Sequence, residues 1–171
     1  MTIELLFLRL VHVLGGVLWV GSVLFMSLFL APALATTGPS GGQIFAALQK
    51  RGLTTILLVA SLLTIASGMR LMWITSGGLA SAYFATATGR TLVSAAAAAV
   101  TALLIGVLVG RPTAARAAKL GGAVASAPPE QRDALARELA TLRRRSGRAG
   151  AAAATLLVLA AAGMAIARYV T

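Results

Sequence analysis

Four long apolar runs constrain this chain more than any other feature. A helix needs about 20 apolar residues to cross the hydrocarbon core of a bilayer. Four segments reach or approach that length: 5–34, 54–74, 91–109 and 149–169. Within hydrocarbon every backbone N–H and C=O must be satisfied by the protein itself, which a helix does unaided. The sequence therefore predicts an all-α fold, an integral membrane four-helix bundle in one transmembrane domain spanning 1–171. The 58% hydrophobic content agrees, because soluble domains hold roughly 45–50%. The expected breaks are Thr36-Thr37-Gly38-Pro39-Ser40-Gly41-Gly42, Ser76-Gly77-Gly78 and Gly110-Arg111-Pro112, all rich in turn formers.

Positive charge sets the expected orientation. The linker 110–148 holds Arg111, Arg116, Lys119, Arg132, Arg137, Arg143, Arg144, Arg145 and Arg148, and so is expected to be cytoplasmic. Lys50 and Arg51 fall on the same side, whereas 75–89 carries no charge and falls outside. Both termini are then outside, and the expected location is a bacterial inner (cytoplasmic) membrane, crossed several times. Ala31-Pro32-Ala33 resembles a small-residue cleavage site. The run before it is far longer than the about 7–15 residues of a signal h-region, so it is expected to stay as a span. The net charge of +11 in so apolar a chain points to a bilayer with an anionic inner leaflet as partner, and not to nucleic acid.

Within the basic linker, Pro128-Pro129-Glu130 suits a helix start, with Ser126 or Ala127 near the cap. Leu135, Leu139 and Leu142 repeat at i, i+4, i+7, and Asp133 and Arg137 form an i,i+4 pair. This predicts a cytoplasmic amphipathic helix between spans three and four. It lies on the inner leaflet, docks on a partner, or serves as a solvated topology anchor.

The chemistry available is narrow. There is no cysteine, which excludes disulfides, thiolate zinc sites, iron–sulfur clusters and cysteine nucleophiles. Ser–His–Asp hydrolysis is excluded because Asp133 and the one histidine, His12, lie at opposite membrane faces. No glycine loop of phosphate-binding type is present. His12 sits inside the first span, where an imidazole needs a partner within the protein and is well suited to ligate haem iron or copper. It shares a helix face with Arg9, Gly15, Gly16 and Trp19. The two glycines admit a backbone or a flat ligand, and Trp19 offers a stacking surface. Four arginines mark the outer ends of the spans: Arg9, Arg70, Arg90 and Arg168. Glu4 is the one carboxylate near them, so an external anion such as a haem propionate or a lipid phosphate is a candidate partner, with snorkelling to headgroups as the alternative. Met69, Met72 and Met164 lie at similar outer depth, with Met26 deeper. Thioethers ligate Cu(I) and haem iron but also pack ordinary cores. A hydrogen bond to a neighbouring helix is likewise the plain alternative for His12.

The stretch Arg9-Leu10-Val11-His12-Val13-Leu14-Gly15-Gly16-Val17-Leu18-Trp19-Val20-Gly21, followed by Leu30-Ala31-Pro32-Ala33-Leu34, resembles the first span of copper-resistance protein D-like membrane families. Ser67-Gly68-Met69-Arg70-Leu71 fits the same pattern, and the haem-dependent membrane-bound protoporphyrinogen oxidase family has a similar histidine-bearing first helix. The resemblance covers about the first 75 residues. It implies a four-helix bundle with His12 as a haem b or copper ligand. Haem held between two histidines needs a second one, which this chain lacks. The expected alternatives are His12 alone, His12 with a methionine, or His12 from two subunits.

Three functions follow as expectations. The first is a haem b protein for electron transfer or redox sensing. His12 would be the ligand, Trp19 would lie on the macrocycle, and Arg9 and Arg70 would hold the propionates. The second is a Cu(I) transport or resistance protein using His12, Met69 and Met72. The third is a non-catalytic homo-oligomer or subunit of a larger membrane complex, packed through small-residue faces such as Ala95–Ala99 and the Gly106–Gly110 pair.

Overall fold

The computed structural model describes residues 2–37 and 39–170. Gly38, part of the first expected break, lies outside them. Helix α1 runs Ile3–Thr36 and α2 runs Pro39–Lys50. Helix α3 spans Leu53–Thr75, α4 is the short turn Ser81–Ala85, and α5 extends over Ala87–Ser126. Helix α6 covers Pro129–Ile166 and closes in a 3₁₀ turn at Ala167–Tyr169. There is no strand among the described residues, and α1, α3, α5 and α6 are each long and apolar enough to cross a membrane.

Charged residues bracket the hydrocarbon-sized part of three spans. Uncharged stretches run between Arg51 and Arg70, between Arg90 and Arg111, and between Arg148 and Arg168. At a helical rise of about 1.5 Å per residue each is close to the thickness of a bilayer core.

Helix α1 packs along α3, and α5 along α6, as two antiparallel hairpins with a thinner seam between them. Small residues make the contacts. Buried alanines 95, 99 and 102 of α5 face buried alanines 149, 153, 154 and 160 of α6. A Cβ on Gly163 would stand 3.1 Å from the Cβ of Ala95. In lipid, burying apolar surface between helices yields no hydrophobic gain, so close backbone approach and van der Waals contact hold them. Trp19 is the one buried residue between Ile3 and Phe25. It is 5% exposed, in a cluster with Ala60, Ala99, Ala102, Ala153, Leu157 and Ala160. One indole from α1 thus fills the space among alanines of the other three spanning helices, near the membrane midplane. The rest of α1 turns large apolar side chains outward, among them Phe7, Leu10, Val13 and Val17.

Two expected features take a different form. Gly110-Arg111-Pro112 does not end a helix. The chain passes through a π segment, Gly106–Gly110, and continues helical to Ser126. Helix α1 does the same, with a π segment at Met26–Leu30 before Pro32. Proline clashes with the carbonyl four residues back and donates no hydrogen bond. A wider turn placed just before it lets the helix continue. The helix expected at Pro129 does begin there, yet it is the first part of α6 and runs unbroken into the fourth span. Leu139 is buried, and this part of α6 lies along Arg111–Ser126 of α5 as a helical hairpin beyond the spans. Leu139 is taken up there, and Leu135 and Leu142 are half-buried.

The bundle's dependence on one indole is testable. Trp19→Ala should destabilise the protein by about 3–5 kcal/mol through the cavity it opens. Trp73, which is 49% exposed, should cost less than about 1 kcal/mol when replaced by alanine. Reversible unfolding of both variants in one detergent measures the difference.

Candidate cofactor site around His12

The site forms where α1 meets α3. On α3, Ala60, Thr64 and Gly68 fall at i, i+4, i+8 and make a stripe of small residues. Helix α1 approaches it through Gly15 and Gly16. A Cβ on Gly15 would lie 2.6 Å from Thr64 Oγ1, and one on Gly16 would lie 3.7 Å from Thr64 Cγ2. Both glycines face the neighbouring helix. Three hydroxyls line the seam, and each donates back into its own helix. Ser61 Oγ reaches Leu58 O at 2.8 Å, Thr64 Oγ1 reaches Ala60 O at 2.8 Å, and Ser67 Oγ reaches Leu63 O at 2.6 Å. Back-bonding of this kind lets hydroxyls sit in an apolar interior.

His12 leans across that seam. Its Nδ1 lies 2.8 Å from the Thr64 carbonyl oxygen, with Ser67 Oγ more distant at 3.5 Å. A carbonyl can only accept, so Nδ1 carries the proton and donates it. In the neutral ring Nε2 then keeps the lone pair. No hydrogen bond reaches Nε2 among the described residues, and no buried side-chain nitrogen or oxygen is left without a partner. Nε2 therefore opens onto the surface of the protein. The ring position depends on Gly68, where a Cβ would stand 2.7 Å from His12 Cε1 and 3.0 Å from Nδ1. His12 lies eight residues from Glu4 and its partner Thr64 six from Arg70, which puts the imidazole about 9–12 Å along the helices from that ion pair.

The other expected residues divide. Arg70 donates from Nε at 2.9 Å and from Nη2 at 2.7 Å to Glu4 Oε1, and this is the one ion pair among the described residues. Arg9, one turn above His12, is exposed. Trp19 belongs to the protein core and presents no open face. Met69 is 69% exposed, and Met72 and Met164 are half-buried. Arg168 stacks on Tyr169, with 4.6 Å from its guanidinium carbon to the ring centre. No group of three or more His, Asp or Glu side chains comes together among the described residues. The residues that hold the ring, Thr64 and Gly68, were not foreseen as partners. The small-residue spacing Ala60–Thr64–Gly68 was their one signal.

Comparison with known protein families, with curated proteins and with solved structures finds no match to this chain.

Because the chain has one histidine, ¹⁵N-histidine labelling yields a single ring to observe. Its spectrum in micelles should show the Nδ1–H tautomer. Gly68→Ala should shift both nitrogen resonances by displacing the ring. An Nε2–H tautomer in the unmodified protein would refute the bond to Thr64.

Proposed function

We propose that this protein binds a b-type haem through His12 Nε2, near the outer leaflet, for electron transfer or redox sensing. The observation that carries this reading is the Nδ1–H to Thr64 carbonyl bond with Nε2 left open at the surface. Metal-ligating histidines are held in this manner, one nitrogen fixed by a backbone or carboxylate oxygen so that the other is aimed and its tautomer set. The residues present fit the group in part. His12 supplies one axial nitrogen. Arg9 supplies a cation one turn nearer the surface for a propionate, and Arg70 supplies another, shared with Glu4. Trp19 supplies no stacking plane, since the protein already covers it, so the macrocycle would lie against the lipid-facing side of α1 and α3. Bound haem would supply one-electron chemistry, and the protein's lever on it is the axial ligand in a low-dielectric setting. A second ligand would come from another copy or be absent.

The copper alternative is weaker on this geometry. Met69 is 69% exposed, and no group of three or more His, Asp or Glu side chains gathers among the described residues. The accessory-subunit alternative loses part of its basis as well. Ala95, Ala99, Ala153 and Ala154 are buried within the bundle, although Ala97, Ala151 and Ala152 are exposed and Gly106 has nothing within 4 Å of its Cβ position. By charge, the basic end of the bundle is cytoplasmic and the His12 end faces outward.

Purified protein should show a Soret band in the visible spectrum, with sharpened α and β bands on dithionite reduction. His12→Ala should abolish them and Met69→Leu should leave them unchanged. A flat spectrum after expression with haem supplied would end the haem reading. Stoichiometric copper in that colourless protein would then favour the metal carrier, and a metal-free oligomer the accessory subunit.

A further inference from the structure

A second chemistry-bearing surface lies at the opposite end of the membrane from His12. Arg137, Arg144, Arg145 and Arg148 line an open groove of about 630 Å³ on one side of α6, with Ala140 and Thr141 as its floor. The spacing explains the grouping: positions 137, 140, 141, 144, 145 and 148 are linked by i+3 and i+4 steps along one helix face. All four arginines are exposed, and none pairs with a carboxylate among the described residues. Glu138 lies on another face of the hairpin, in a second groove with Arg116 and Lys119. Thr141 Oγ1 donates to Arg137 O at 3.0 Å, so its hydroxyl is held down and the floor stays low. Like charges one turn apart repel, so this face is favourable only with anions on it.

Position identifies the anion. Arg148 directly precedes the uncharged run that crosses the bilayer. Arg144 and Arg145 stand one turn further out, about 5–6 Å, within the headgroup layer. Arg137 stands about 16 Å from Arg148, beyond the depth of an ordinary phosphodiester. The leucine stripe of this stretch is turned to α5, so the helix stands up from the membrane and the groove runs along its side. We infer that the groove binds an anionic lipid whose headgroup carries two phosphates. Each phosphate of such a lipid is tied to its own pair of acyl chains, so the two sit side by side at headgroup depth among Arg144, Arg145 and Arg148, and Arg137 adds positive charge above them. Guanidinium forks match phosphate oxygens in pairs, and a single phosphodiester brings one charge to a face that presents four. A free polyphosphate, nucleic acid or an acidic peptide would share the charge but not the anchorage beside the span.

The test uses the full chain in phosphatidylcholine nanodiscs. One set contains a two-phosphate lipid of the diphosphatidylglycerol type, and another contains twice the molar amount of phosphatidylglycerol, so that total charge is equal. Lipid retained after mild detergent extraction is counted by native mass spectrometry. The expected result is about tenfold greater retention of the two-phosphate lipid, as one or two extra guanidinium contacts would give. The variant Arg144→Gln/Arg148→Gln should abolish that preference. Arg116→Gln/Lys119→Gln, which removes the same charge from the other groove, should keep it. Equal retention of the two lipids by the unmodified protein overturns the proposal without reference to any variant. Equal losses in the two variants overturn it too, as does pyrophosphate competing in detergent as well as the lipid does.

Discussion

Everything in this protein rests on how closely two backbones can approach within lipid. Helices surrounded by hydrocarbon gain nothing by hiding apolar side chains from water, because there is no water there. They gain by bringing many atoms into contact, and that requires small side chains at the crossing points. Gly15 against Thr64, Gly163 against Ala95, and the alanine rows of α5 and α6 are such points. Trp19 is the counterpart, one large side chain filling the space that so many small ones leave. The same closeness carries His12 to a main-chain carbonyl of α3, so the candidate site is a product of packing and not an addition to it.

The buried polar groups follow the same logic. Inside a bilayer an unpaired donor is expensive, and each hydroxyl of the α3 seam is satisfied one turn back along its own helix. The Thr64 carbonyl, 3.1 Å from Ser67 Oγ, is also the acceptor for the imidazole. The seam is therefore saturated on the donor side, and its one open group is a nitrogen lone pair at the protein surface.

Four spans were legible because about 20 apolar residues in a row have few other fates. Their lengths were not. Proline and glycine at 110–112 have the pattern of a stop, since in water such a cluster ends a helix. Here a π turn absorbs the proline, and this depends on neighbours that no local pattern records. Leu135, Leu139 and Leu142 mark one apolar side of a helix without naming what lies beside it, and the stretch runs along the tail of α5. Around His12, the glycines announced a close approach without saying to what. Trp19 lay on the correct face for a ligand by helical spacing, and its burial became visible only when alanines from three other helices surrounded it. The Thr64 partner was invisible for a simpler reason: the group that binds the imidazole is a carbonyl, which every residue has.

Helix α6 has a mechanical consequence. It runs without interruption from Pro129 to Ile166, whereas its neighbour α5 carries a wide turn at Gly106–Gly110, just inside the membrane edge. One member of the protruding hairpin is thus a stiff rod anchored through the bilayer, and the other is jointed where it leaves. Any change in the tilt of the fourth span is delivered to the hairpin tip at full leverage, while the joint in α5 lets the second rod follow without breaking its contact with the first.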